Sequence, residues 1–491
     1  MKTGPTANLV QFEVDEVSFT PRSVRRRRPL VRQGVVALVV YGAAFCCGLT
    51  GGYSGVLLPQ LRANTSDLLV DDNMASWIGE NNMGTYTGTT SLGCLLSGLA
   101  MNVIGRSTVV KIGIFSMFSG WILIAFANAH HLMLAGRAVD GFGRGFSFHL
   151  EEMADLRWRG PLSACIMLVY SIGIMLISML GIALNWRISA SISAGLSLLN
   201  FVGYCFVPES PVWLVRKGKI QKAREVFKWL WNHRHEEMAE EDLQEVLKRY
   251  KEEAEENHGT LKPRDILKSQ YLKPFLIMHI ANLMQVICGT NLFIFYASDI
   301  ISGLNQSGDI NVNFMVVFTA AVRVAFLATS CVLLMWLPRR FMCILSGTGS
   351  GLAALVIATA SALNYSDAWF VCSSLTIYVA FNTFGFFVLV SIMVGEILPS
   401  RIRSFGGAYI FTMNDIALFA ATKAFPFIVG SIGVNGLFWI FGCSSLVCSL
   451  FLLLLLPETK GCTLIDVERY FLQKNVLWQK RRLVEEDTQS S

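Results

Sequence analysis

The sequence predicts an all-α membrane protein, with twelve transmembrane helices in two pseudo-symmetric six-helix halves. Three observations predict it. The chain of 491 residues is 53% hydrophobic and 15% charged, with a mean hydropathy of +0.49. A soluble domain carries about 25% charged residues. Twelve apolar stretches are each long enough for a helix across a hydrocarbon core about 30 Å thick. Finally, Pro208-Glu209-Ser210-Pro211-Val212-Trp213-Leu214 is answered by Pro457-Glu458-Thr459-Lys460-Gly461. Each string closes an apolar stretch and opens a charged one. The same punctuation at corresponding places points to a duplicated membrane protein.

Taken in order, residues 1–33 form a polar tail that contains Arg25-Arg26-Arg27-Arg28. Directly before an apolar segment, that run reads as a cytoplasmic topology determinant, and no cleavable signal peptide is expected. The first half, 34–207, holds apolar stretches near 34–58, 79–102, 108–128, 131–150, 162–183 and 188–207. The linker, 208–272, is charged, with Lys222, Arg224, Glu236, Glu237, Glu240 and Glu241 at helical spacing. It reads as short amphipathic helices on the cytoplasmic surface. The second half, 273–456, holds stretches near 273–297, 312–336, 341–363, 369–396, 404–428 and 433–456, and 457–491 forms a cytoplasmic tail.

Two independent signals set the orientation. Arg and Lys crowd alternate connections, including the N-terminal arginines, Arg106 and Lys111, the central linker, Arg339 and Arg340, and the C-terminal tail. This places both termini in the cytoplasm. The N-x-Ser/Thr sequons at Asn64, Asn305 and Asn364 all fall in loops that the charge rule puts outside. Asn64 lies in the longest outer loop and is the best acceptor.

Other classes receive no support. The net charge of +6 is mild and gives no reason to invoke nucleic acid. The 12 cysteines are scattered through apolar segments, with no zinc spacing and no disulfide framework. No nucleophile–base constellation, metal cluster or phosphate loop appears, so neither an enzyme nor a cofactor is expected. The expected partners are a small-molecule solute and the lipid bilayer.

Several motifs carry a resemblance over residues 34–470. They include Gly51-Gly52-Tyr53-Ser54-Gly55, Gly98-x-x-x-Asn102-x-x-Gly105-Arg106, Gly136-Arg137 with Gly141, Gly143 and Gly145, and the two Pro-Glu strings. The chain resembles the sugar-porter branch of the major facilitator superfamily. Ser54, the 208–214 string and Phe419-x-x-Thr422-Lys423-x-Phe425 are most similar to insect facilitated trehalose transporters and their relatives. The resemblance implies the major facilitator fold, with a solute site between rocking halves. It implies that Gln285, Asn291 and Tyr296 of span seven and Asn414 of span eleven line that site. Amides offer donors and acceptors suited to sugar hydroxyls, although isolated amides also act as helix–helix glue. At the inner face Arg106, Arg159, Arg339 and Arg403, with Glu152, Glu209, Glu396 and Glu458, could form ion pairs that close the cytoplasmic side. Positive-inside charge with incidental pairing is the plainer reading. The glutamates argue against it, because topology needs only cations.

The departures from the family pattern matter as much. Proton-coupled members often carry Asp at the position of Ser54, so coupling there is unsupported. Gly385 is followed by Phe386-Phe387-Val388-Leu389-Val390-Ser391, where the family usually has two prolines and a sugar-stacking Trp. Met167 and Val286 stand where glutamines are usual. Fewer amides and no aromatic platform make a less sugar-like, more open or more apolar cavity. Arg323 and Asp415 are new charges, each about eleven residues from a span end and so about 16 Å deep. They are expected to face one cavity and compensate each other, directly or through water. Asp140 and Arg144, four apart on one helical face, can pair locally. For both sets of charges the plainer reading is tolerated drift. The function implied is a facilitative carrier, at the plasma membrane, for a sugar (a hexose or a disaccharide such as trehalose) or related small polar solute. The alternatives are a carrier of a non-sugar, for instance anionic, solute, or a non-transporting sensor of the same fold. A C-terminal tail of about thirty residues is short for a sensor.

Overall fold

The computed structural model describes residues 31–62, 72–147, 159–231, 236–256, 268–305, 308–363, 365, 367–399, 402–460, 467, 470 and 471. The regular elements among them are all α-helices. The first half comprises α1 (Val31–Arg62), α2 (Asp72–Ile104), α3 (Arg106–Ala125), α4 (His130–Ser147), α5 (Arg159–Ala183) and α6 (Trp186–Cys205). Three linker helices follow: α7 (Pro211–Arg216), α8 (Ile220–Leu230) and α9 (Glu236–Glu256). They are amphipathic, and Leu214, Phe227, Trp231 and Leu243 meet in a small core of their own. The second half comprises α10 (Ser269–Ile287), α11 (Leu292–Phe295), α12 (Ala297–Leu304), α13 (Val312–Leu333), α14 (Arg339–Ala362), α15 (Ala368–Phe384), α16 (Phe386–Ile397) and α17 (Arg403–Leu455).

Ten stretches are apolar and long enough to cross a membrane. Twelve spans follow once two features are read physically. The stretch Gly406–Leu455 has 50 residues, more than twice the roughly 20 that one crossing needs. It divides at Gly433, whose φ of 70° and ψ of 176° are not helical. The twelfth is α4, which has a lower hydropathy because Arg137, Asp140 and Arg144 lie within it. All three are turned into the protein.

Close backbone approach holds α4 in place. A Cβ at Gly143 would lie 2.5 Å from the Gly113 carbonyl oxygen of α3, and one at Gly145 would lie 2.3 Å from the Thr90 carbonyl oxygen of α2. Only glycine fits at either contact.

The repeated Pro-Glu strings do the same work in both halves. Glu209 accepts hydrogen bonds from the backbone N–H groups of Ser107 (2.8 Å) and Thr108 (3.3 Å) at the start of α3. Glu458 accepts from those of Arg339 (3.0 Å) and Arg340 (3.2 Å) at the start of α14. Each carboxylate satisfies orphan donors and meets the positive end of a helix dipole. Gly105, with φ of 105°, lets the chain turn tightly against Glu209.

Spans seven and ten are discontinuous. Span seven breaks at Cys288–Asn291, where Gly289 has φ of 80°. The Tyr378 hydroxyl donates to the freed Cys288 carbonyl at 3.0 Å. Span ten breaks at Gly385, and three neighbouring spans supply partners there. Ser346 Oγ accepts from the amides of Gly385 (3.1 Å) and Phe386 (2.9 Å) and donates to the Phe381 carbonyl (2.5 Å). Ser330 Oγ donates to the Phe384 carbonyl at 2.7 Å. Gln285 Nε2 donates to the Phe386 carbonyl at 2.5 Å.

Ser346 is fully buried and uses its whole hydrogen-bonding capacity. Replacing it by Ala strands two buried N–H groups, so Ser346→Ala should lose about 1–3 kcal/mol of stability. Thr359→Ala, on the exposed face of the same helix, should lose under about 0.5 kcal/mol. Thermal unfolding of the purified proteins measures the difference. Equal losses would mean that Ser346 does not hold the break.

Candidate functional site

Among the described residues, five arginine and aspartate side chains lie buried at the middle of the bundle: Arg137 and Asp140 are 0% exposed, Arg144 9%, and Arg323 and Asp415 6% each. A charge at this depth must be paired or hydrated, and the surroundings of each show how far that need is met. Arg137 and Asp140 form an ion pair at 3.5 Å, one turn apart on α4. Thr50 Oγ1 of α1 donates to Asp140 Oδ1 at 3.1 Å. Arg137 also donates to Ser54 Oγ at 2.5 Å and to the Thr50 carbonyl at 3.4 Å. Its guanidinium carbon lies 4.4 Å from the Tyr86 ring centroid and 5.7 Å from that of Tyr53, both within cation–π range.

Arg144 points to the interface between the halves. It donates to the hydroxyls of Tyr86 (2.6 Å) and Tyr170 (3.4 Å). Asp415, from α17 of the other half, faces Arg144 and accepts from Cys94 Sγ of α2 at 3.4 Å. The Tyr170 ring stacks on Phe387 of α16, with centroids 6.2 Å apart. Arg323 of α13 also lies against Phe387, 5.7 Å from the ring centroid. The result is a layer of cations and rings that crosses from one half to the other.

This geometry corrects one expected pairing and bears on a second. Asp140 pairs with Arg137 and not with Arg144. Both arginines lie on its face of α4, but the tyrosine hydroxyls of α2 and α5 take Arg144. Arg323 and Asp415 make no direct contact among the described residues. Asp415 is bound into the Cys94–Arg144 side of the layer, whereas the titratable groups facing Arg323 are Tyr170 and Tyr378.

The other expected solute contacts fall into two groups. Gln285 and Tyr296 hold the scaffold: Gln285 bonds the span-ten break, and the Tyr296 hydroxyl donates to the Thr422 carbonyl at 3.0 Å while its ring stacks on Phe425 at 3.9 Å. Asn291 and Asn414 are half-buried. Asn291 makes no side-chain capping bond at α11, and Asn414 Oδ1 has no hydrogen-bond partner among the described residues.

The charged cluster at the linker end is knitted within each half. Arg339 and Glu396 pair at 3.3 Å, and Thr459 Oγ1 donates to the other Glu396 oxygen at 2.6 Å. Glu209 and Glu458 cap helices, as described, and Arg106 is half-buried beside the first of these caps. Glu152 and the side chains of Arg159 and Arg403 lie outside the described residues. So do Asn64 and Asn364. Asn305 is described: its Nδ2 donates to the Ile310 carbonyl at 3.1 Å, and its Oδ1 accepts from the Ile310 amide at 3.2 Å.

Sequence reasoning missed Tyr86, Tyr170 and Tyr378 as members of the layer. It quoted Arg137 as part of a glycine-rich motif without giving it a role. The available signal was Arg137 one turn from Asp140, among glycines in a stretch otherwise fit to cross a membrane.

The family profile described as Sugar (and other) transporter matches residues 37–471. A facilitated trehalose transporter Tret1 from Apis mellifera ligustica is 28% identical over 477 residues, which cover 93% of this chain and 92% of that protein. Its namesake from Culex quinquefasciatus is 28% identical over 483 residues, which cover 95% of this chain and 91% of that protein. Among solved structures, the major facilitator superfamily proton:xylose symporter XylE bound to 6-bromo-6-deoxy-D-glucose superposes with a TM-score of 0.74 at 19% identity, covering 89% of this chain and 98% of that one. The inward-open form of XylE from E. coli gives a TM-score of 0.70 at 18% identity. The fold is thus the major facilitator fold.

The Arg137–Asp140 pair should behave as a unit. Asp140→Asn alone leaves a buried cation uncompensated and should cost about 3–5 kcal/mol of stability, whereas Arg137→Gln with Asp140→Asn should recover most of that loss. The folded fraction after detergent extraction, followed on heating, reports it. Losses that simply add in the double variant would show that the two charges act separately.

Proposed function

Because the chain belongs to the sugar (and other) transporter family, we propose that it is a facilitative carrier for a sugar, either a hexose or a disaccharide such as trehalose, working by alternating access. The observation that carries the facilitative part is the Arg137 environment. Asp140, from the same helix, already neutralises Arg137, and at position 54 Arg137 meets a serine hydroxyl. Position 54 offers a hydroxyl in place of a carboxylate, and the Asp140 carboxylate of α4 is already engaged by Arg137 and by Thr50 of α1, so a proton cycling through residue 54 finds no acid group there. The glycine contacts around α4 and the polar-bonded breaks in spans seven and ten suit rigid bodies that hinge at defined points.

Uptake of labelled trehalose and hexoses into vesicles containing the purified protein tests this reading. Uptake should saturate, be competed by unlabelled sugar, and stop at equal concentrations inside and outside. An imposed pH difference should not change the final level. Accumulation driven by pH alone, and abolished by Asp415→Asn, would make the protein a proton symporter and Asp415 its carrier group.

The same reading places the protein in the plasma membrane with both termini cytoplasmic. It assigns the glycan to Asn64, because Asn305 already engages both of its side-chain polar atoms. Glycosidase treatment should shift the wild-type protein on a gel and leave Asn64→Gln unshifted. A glycan mapped to the linker would reverse the orientation.

A further inference from the structure

Three arginines and two aspartates share the buried layer, so the balance among the described residues is one positive charge. That charge can be located. Arg137 is bonded to Ser54, Thr50 and Asp140. Arg144 is bonded to two tyrosine hydroxyls and faced by Asp415. Arg323 is 6% exposed, has no carboxylate partner and makes no hydrogen bond to any described residue. Its Nε is buried without a partner. A guanidinium carries five donors, and here they are unmet beside an aromatic ring.

Other buried polar groups on this side of the second half are also unmet. Asn382 lies one helical turn beyond Tyr378 on α15, and its Nδ2 is buried without a partner. Tyr378 in turn bonds the Cys288 carbonyl. Two residues past Cys288, the Thr290 hydroxyl is buried and unpaired. Around Tyr378, which faces Arg323, bonds Cys288 and shares a helix with Asn382, a cation, an amide and a hydroxyl are thus left open. A neutral sugar could answer the amide and the hydroxyl, but it leaves the charge uncompensated. A buried cation without a counter-charge is costly.

We propose that Arg323 anchors a carboxylate borne by the transported sugar, and that the preferred solutes are sugar acids such as hexuronates rather than their neutral parents. This rests on the carrier reading and sharpens it. The layer's balance of one charge selects a monoanion. A phosphate monoester brings nearly two charges and would leave the layer negative. Guanidinium and carboxylate also match as planar, two-point partners. Carrying the anion alone moves one charge per turnover, so uptake should follow the membrane potential.

The test compares binding of D-glucose, D-glucuronate and D-glucose 6-phosphate to the purified full chain, by intrinsic fluorescence. Wild-type protein should bind glucuronate about tenfold or more tightly than glucose, the worth of one charge-assisted hydrogen bond. Glucose 6-phosphate should bind more weakly than glucuronate. Arg323→Gln should bring glucose and glucuronate within about twofold of each other, while Arg323→Lys keeps part of the preference. Without ligand, Arg323→Gln should be at least as thermally stable as wild type, because it removes an unmet buried charge. In vesicles, an inside-positive potential should speed glucuronate uptake and leave glucose uptake unchanged.

Equal binding of glucose and glucuronate by the wild type would overturn the proposal. So would a preference that survives in Arg323→Gln, or a marked loss of stability in that variant. Tighter binding of glucose 6-phosphate would overturn the carboxylate assignment. If no sugar, neutral or acidic, binds or moves, the carrier reading itself fails. If neutral sugars move and acids do no better, only this inference fails.

Discussion

A polar group in the hydrocarbon core has no water to turn to, and this single constraint governs most of what is seen in the bundle. Each break in a span frees backbone groups, and each freed group near Gly385 is met by a side chain from another span. Ser346, Ser330 and Gln285 come from spans nine, eight and seven and converge on one bend in span ten. The bend is thereby tied to the helices around it. A hinge built this way can move only with its neighbours, which suits a second half that works as one body. The same constraint explains why Gln285 serves the scaffold here although its chemistry would also suit a sugar hydroxyl. An amide within reach of a freed carbonyl is drawn to it.

Charges obey the constraint more strictly. In the first half they are resolved locally: Arg137, Asp140, Thr50 and Ser54 close on one another between α4 and α1. At the interface they are resolved between the halves, where Arg144 lies among Tyr86, Tyr170 and Asp415. This second set has a mechanical consequence. Cys94 and Asp415, and likewise Tyr170 and Phe387, are contacts that a rocking motion must stretch or break. Contacts within a half, such as Arg137–Asp140, are spared. A polar interface between moving bodies can exchange partners during motion, whereas an unpaired ion inside one body cannot.

Much of the fold was legible because span length is set by the membrane rather than by the details of packing. Twelve stretches of about the right length stand out even where three charges dilute one of them. The repeated Pro-Glu strings marked equivalent joints, and both glutamates cap the helix that begins nearby in space. The site was legible only in part. Spacing places Asp140 within a turn of both Arg137 and Arg144, and nothing in the sequence shows that tyrosines of α2 and α5 will claim the second arginine. Depth places Arg323 and Asp415 at one level, but level says nothing of the direction a side chain points around its helix. The rings of the layer, Tyr170 and Phe387, carry no sequence mark that sets them apart from ordinary packing aromatics.

The mirrored caps show how the two halves share a design without sharing a site. Glu209 fixes the start of α3 and Glu458 the start of α14, each next to a basic loop. These anchors lie at one end of the molecule and act within a half, so they can stay intact while the halves move. The midplane carries no such symmetry. The first half presents a closed charge pair there, and the second presents Arg323 with open donors beside an aromatic ring. A duplicated scaffold keeps its joints because both copies must fold and hinge alike. The middle is free to diverge, because recognition needs only one good set of groups facing one solute. On this argument the asymmetry belongs to function and the symmetry to folding. The residues that distinguish this carrier from its relatives are therefore to be sought on the second half, around Arg323.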